Sequence, residues 1–87
     1  MPNKKEIREK AKALEPVVRI GKSGLTDSVV GEIKKQIKQK GMIKVKMLKS
    51  FVGGKDKKES AMELAEKTES SLVQRVGFVV VLSKKKE

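Results

Sequence analysis

The sequence predicts an α/β domain of order α-β-α-β-α-β-β, with a mixed four-stranded sheet covered by helices. Two observations carry that expectation. The spacing of apolar residues switches repeatedly between the helical period near 3.6 and the strand period of 2. A proline or glycine stands at most of the switches, at Pro16, Gly21, Gly24, Gly41, Gly53, Gly54 and Gly77. The 87 residues leave room for one domain over 1–87 and one hydrophobic core.

The first element expected is a helix over Asn3–Leu14, where Ile7, Ala11 and Leu14 recur at helical spacing among lysines. Asn3 followed by Glu6 resembles a capping box. Pro16 turns Glu15 away from helical geometry and so ends the helix. The β-branched run Val17-Val18-Arg19-Ile20 then reads as a strand starting at Pro16. Gly21 to Gly24 forms a tight loop, after which Thr26 caps a helix running to about Lys40. Its inner stripe is Val29, Val30, Ile33 and Ile37, with Lys34, Lys35 and Lys38 outside. Gly31 inside that helix costs about 1 kcal/mol relative to alanine, which suggests a close backbone contact. Gly41 is the expected C-terminal stop.

Met42 to Leu48 alternates strictly: Ile43, Val45 and Met47 face one way, Lys44 and Lys46 the other. Ser50 to Lys55, with Gly53-Gly54, is expected to be a mobile loop. A third long helix follows over Asp56–Thr68, burying Ala61, Leu64, Ala65 and Thr68. Its mixed, partly acidic exterior makes a poor surface for a polyanion. Two antiparallel strands, Ser71–Val76 and Phe78–Ser83, are joined through Gly77. Residues 84–87 are expected to fray.

Charge narrows the function. The formal net charge is +11. Residues 1–55 hold 15 Lys and Arg against 5 Asp and Glu, whereas residues 56–87 hold 7 against 6. A basic field concentrated on two-thirds of the chain attracts polyanions. The plainer alternative is a solvated, lysine-rich surface with no partner at all.

The chain has no cysteine and no histidine. That removes disulfides, thiolate nucleophiles, the commonest general base and the usual zinc ligands. Asp56, Glu59, Glu63, Glu66 and Glu69 lie at i, i+3 and i+4 spacing among lysines, the pattern of an ion-paired helix surface. No enzymatic activity, cofactor, metal ion or small-molecule substrate is expected. The longest apolar stretch, Phe78 to Leu82, is far too short to cross a bilayer, and the charged N-terminus does not resemble a signal peptide. A cytoplasmic monomer without membrane attachment is expected.

The loop Gly21-Lys22-Ser23-Gly24 carries the chemistry. Between a strand end and a helix N-terminus, unpaired amides and the helix dipole favour an anion. Glycines let the backbone approach a phosphate, Lys22 adds charge and Ser23 a hydroxyl donor. Turn geometry alone could also explain both glycines. Two sharper phosphate motifs fail: Pro16 stands where a Walker A loop needs its first glycine, and Ser23 interrupts any Gly-x-Gly-x-x-Gly fingerprint. The only aromatics are Phe51 and Phe78, too few for a base-stacking platform, so backbone recognition is expected. Phe78 reads as core and Phe51 as a loop anchor or a base contact.

The run Pro16-Val17-Val18-Arg19-Ile20-Gly21-Lys22-Ser23-Gly24-Leu25-Thr26 resembles the signature of the CRM domain (chloroplast RNA splicing and ribosome maturation), whose stand-alone prokaryotic form is the YhbY family. Ile43–Lys46, Glu63–Thr68, Leu72–Gly77 and Val80–Leu82 follow the same pattern in order. The chain departs from it at Glu15, Phe78 and Ser83, where a lysine, a basic residue and a tyrosine are usual, and in a longer Ser50–Lys55 segment. The resemblance implies a fold similar to the C-terminal domain of translation initiation factor three. It also implies RNA contact through the glycine-bounded loop and its basic surroundings, and association of prokaryotic members with large-subunit precursors, plant members acting in intron splicing. The RNA-binding residues expected here are Gly21, Lys22, Ser23 and Gly24, in a field supplied by Lys12, Lys34, Lys35 and Lys38. Ribosomal RNA or a pre-ribosomal particle is the expected partner. A general nucleic-acid binder, DNA and chromatin included, is the competing reading.

Overall fold

The computed structural model describes residues 15–85. In chain order these form β1 (Pro16–Ile20), α1 (Asp27–Lys40), β2 (Met42–Met47), the short α2 (Lys49–Val52), α3 (Lys57–Lys67), β3 (Ser70–Val76) and β4 (Val79–Lys84). The helix expected over Asn3–Leu14 lies outside the described residues. The four strands make one mixed sheet, as the hydrophobic pattern predicts, and their order in it is β1-β2-β4-β3. β1 and β2 run parallel, linked by α1, while β4 runs antiparallel to both β2 and β3.

The core lies between the sheet and the helices. Ile20, Ile43, Val45, Met47, Val80 and Leu82 from the strands are each 1 % exposed or less. They pack with Ile33 and Ile37 of α1 and Ala61, Leu64 and Ala65 of α3. Each fully buried aliphatic side chain contributes roughly 1.5–3 kcal/mol. On β2 the alternation holds: Lys46 is exposed and Lys44 half-buried on the face away from this core.

The caps also follow the sequence. Thr26 Oγ1 accepts the Val29 amide at 3.2 Å, and Gly41, at φ 79°, donates its amide to the Ile37 carbonyl at 2.7 Å. Asp56 and Thr68, expected inside the third long helix, are its caps. Asp56 Oδ1 accepts the Lys58 amide at 3.1 Å, and the Thr68 hydroxyl donates to the Leu64 carbonyl at 2.7 Å. Short polar side chains compete for backbone groups and so favour helix ends over interiors.

Four expectations need correction. The Ser50–Lys55 loop is partly helical, because Phe51 and Val52 of α2 pack against the core, and Gly53 at φ 58° ends the turn. Phe78 does not open a strand. Gly77 and Phe78 form a two-residue turn between Val76 and Val79, with positive φ at Gly77, the first-position glycine such hairpins favour. Lys84 is not frayed: it ends β4, opposite Ser70, and its amide donates to the Gly41 carbonyl at 3.1 Å. Gly31 marks no close contact, since a Cβ built there meets nothing within 4 Å.

Candidate nucleic-acid interface

The Gly21–Gly24 segment is a closed turn. The Gly24 amide donates to the Gly21 carbonyl at 2.9 Å, which places Lys22 and Ser23 at the two exposed central positions. The two glycines have different physical roles. Gly24 sits at φ 69°, a conformation costly for any residue with a Cβ. At Gly21 a Cβ would lie 3.4 Å from Leu48 Cδ1 and 3.6 Å from Ser50 Oγ. Those are ordinary van der Waals separations to side-chain atoms, so Gly21 packs against the start of α2 without the absence of a Cβ being required.

This geometry narrows the expected anion cradle. The Gly24 amide is consumed within the turn, and the Val29 amide by Thr26. The Lys22 and Ser23 amides have no protein partner among the described residues. Asp27 stands in the first turn of α1, so the helix already carries a negative charge at its positive end. An arriving phosphate would therefore meet the turn rather than the helix axis.

Parallel pairing of β1 and β2 sets the turn's neighbours. The Leu48 amide donates to the Ile20 carbonyl at 2.8 Å, so both strands end side by side. The Met47 amide donates to the Phe78 carbonyl at 2.7 Å, which brings the β3–β4 turn to the same end of the sheet. There the Lys57 ammonium lies 4.5 Å from the centre of the Phe78 ring. Lys49 and Ser50 of α2 and Lys57 of α3 thus share the end of the domain that carries Lys22 and Ser23. Sequence reasoning missed them, treating 50–55 as a loop and α3 as a poor polyanion surface. The available signal was local: Phe51-Val52 followed by Gly53 is a one-turn helix with a stop.

The lysines of α1 lie elsewhere. Helix α1 has 14 residues and a rise of about 1.5 Å per residue, so Lys38 sits roughly 16 Å along the axis from Asp27. Lys34 and Lys38 line an open groove at the far end, with Lys84, Lys85 and Glu69. Lys34 pairs with Glu69 at 3.7 Å. Lys35 is exposed on α1 and does not line the groove. Lys12 lies outside the described residues. The structure therefore unites Lys22 and Ser23 in one turn but does not gather Lys34, Lys35 and Lys38 around it.

Among the carboxylates of α3, Glu63 has cationic partners. Glu63 pairs with Lys67 at 3.5 Å and with Lys55 at 3.6 Å, both solvent-exposed contacts worth about 0–1 kcal/mol. Among the described residues no cluster of three or more potential metal ligands occurs, and no helix is long and apolar enough to cross a membrane. Phe51 is half-buried against the core and serves as an anchor, and Phe78 packs partly against the same cluster.

The profile of the CRS1/YhbY (CRM) domain matches residues 2–84. The chain belongs to the CRS1/YhbY (CRM) domain family. A probable RNA-binding protein of Methanocaldococcus jannaschii is 40% identical over 84 residues, covering 97% of this chain. The chain spans 62% of that relative's length. The probable RNA-binding protein YqeI of Bacillus subtilis is 33% identical over 81 residues, covering 93% of this chain and 82% of YqeI. In solution, a Staphylococcus aureus protein described as a candidate RNA-binding protein has the same fold. Its TM-score is 0.75 and its identity 32%, over 97% of this chain and 85% of that one. These CRM-domain relatives are described as RNA-binding proteins and not as enzymes.

Proposed function

We propose that this CRM-domain protein binds RNA by its backbone at the Gly21–Gly24 turn, and that it acts on precursors of the large ribosomal subunit. The observation that carries the proposal is the turn itself. Two exposed residues, a lysine and a serine, present amides with no partner among the described residues, and Lys49, Ser50 and Lys57 share that end of the sheet. Turns that expose successive amides are anion sites. The names of the relatives and the net charge of +11 favour RNA as the anion. Few aromatic side chains are available, so phosphate contacts and RNA shape dominate over base reading. The protein acts as a cytoplasmic monomer and supplies binding, not chemistry, since it has neither cysteine nor histidine.

The decisive variant replaces Lys22 and Ser23 together with aspartate. Binding of a labelled single-stranded RNA, followed by fluorescence anisotropy, is expected to be lost while the circular dichroism spectrum stays that of the parent. Unchanged affinity refutes the turn as the contact. For the parent protein, log affinity falls with log salt at about −0.7 per phosphate neutralised. Competition by duplex DNA separates RNA preference from general nucleic-acid binding. Crosslinking in cells, with sequencing of the bound RNA, is expected to enrich large-subunit precursor RNA. Enrichment of transfer RNA instead removes the ribosomal role.

A further inference from the structure

The end of the domain opposite the Gly21–Gly24 turn carries an open groove of about 620 Å³. Its floor is Ile37 and Thr68, and its walls are Lys34, Lys38, Lys84, Lys85 and Glu69. Four lysines face one carboxylate. Among the described residues only Lys34 of these four has an acidic partner, Glu69 at 3.7 Å, with both side chains largely exposed.

Glu69 occupies an unusual position. It follows the Thr68 cap of α3 at φ 52°, and it is the only described residue other than glycine with a positive φ. Helices commonly end with glycine in that conformation, because a Cβ is disfavoured there. A glutamate in this place brings an exposed carboxylate 3.7 Å from Lys34, on a groove lined by three further lysines. The groove is therefore built for negative oxygen and holds one such group from the protein itself.

We propose that this groove is a second contact for the RNA phosphodiester backbone, separate from the turn, in which Glu69 is a resident competitor that an incoming phosphate displaces from Lys34. The inference rests on the RNA-binding reading above. The two contacts lie at opposite ends of α1, whose 14 residues span about 21 Å, so a strand engaging both runs the length of the helix. A strand too short to span α1 engages one contact at a time. Exposed Gly31, with no Cβ, leaves the α1 backbone open between them.

Three variants, the parent protein and one RNA test the proposal. The probe is a fluorescein-labelled oligouridylate long enough to span α1. In the variant Lys38→Glu/Lys84→Glu, affinity is expected to fall several-fold, with a salt slope shallower by about 1.4, for two phosphates at 0.7 each. In Glu69→Gln, affinity is expected to rise and the slope to steepen by about 0.7. In the Lys22→Asp/Ser23→Asp variant the groove remains, so a nuclear magnetic resonance titration should still move the Glu69 and Lys84 amide signals at high RNA concentration. The same titration of the parent protein needs no variant to fold. Unmoved Glu69 and Lys84 signals in the parent, or an unchanged slope in the groove variant, overturn the second contact and leave the turn standing. Loss of affinity in the groove variant with none in the turn variant supports the groove and removes the turn.

Discussion

Lys57 places its ammonium nitrogen 4.5 Å from the centre of the Phe78 ring, joining the start of α3 to the β3–β4 turn. The ring packs partly against the core, so the contact ties the turn of the hairpin to the first residue of α3. A cation over an aromatic face at an exposed site contributes about 0.5–1 kcal/mol. A double-mutant cycle with Lys57→Ala and Phe78→Leu, measured by urea denaturation, is expected to return a coupling of that size. A coupling near zero means that Lys57 merely rests near the ring.

The glycines separate by substitution to alanine. Gly31→Ala is expected to stabilise by about 1 kcal/mol, because the added methyl group meets nothing and the helix gains propensity. Gly24→Ala is expected to destabilise by roughly 1–2 kcal/mol, since its φ of 69° is a left-handed conformation. Gly21→Ala should lie between them, its nearest neighbour being the tip of the Leu48 side chain at 3.4 Å. Melting temperatures of the three variants give the order directly.

Ser60 is 1 % exposed, and its hydroxyl has no hydrogen-bond partner among the described residues. A buried hydroxyl without a partner costs about 1–3 kcal/mol. Ser60→Ala, which also favours the helix, is expected to raise stability by about 1 kcal/mol. A loss of stability would reveal a bond that the side chain makes in solution.

Asp27 sets helix stability against anion binding. Its carboxylate in the first turn of α1 stabilises the helix by about 0.3–1 kcal/mol. It also opposes a phosphate approaching the neighbouring turn. Asp27→Asn is expected to lower the melting temperature slightly and to raise RNA affinity, most clearly at low salt. Lower stability together with unchanged affinity would place the phosphate far from α1.

Periodicity made most of the fold legible. Alternation at Ile43, Val45 and Met47, and the stripe Ile33–Ile37, fixed which faces are buried without any tertiary information. Thr26 and Gly41 marked the ends of α1 because caps are local chemistry. Asp56 and Thr68 were less visible, since a helical period cannot tell a first or last turn from a cap. The one-turn α2 gave no periodic signal for a related reason: four residues hold less than two periods. Gly77-Phe78 misled because a single glycine shows that a turn exists, not how many residues it takes.

The candidate site was legible only in part. Lys22 and Ser23 could be located because a strand, two glycines and a capping threonine surround them in sequence. The grouping of lysines could not. Lys49 and Lys57 reach the turn's end of the sheet through the parallel pairing of β1 with β2 and the carbonyl of Phe78 on Met47. Lys34 and Lys38 reach the opposite end because α1 runs away from the turn. Strand pairing determines the first placement and helix direction the second, and charge counts along the chain carry no information about either.

β4 is made after the other three strands and yet occupies the interior of the sheet, between β2 and β3. While the polypeptide is being synthesised, β3 has no neighbour to pair with until residues 79–84 leave the exit tunnel. Two of the six buried strand residues of the core, Val80 and Leu82, are missing until then. The β1–β2 pair can form earlier, but the complete sheet waits for the hairpin to close.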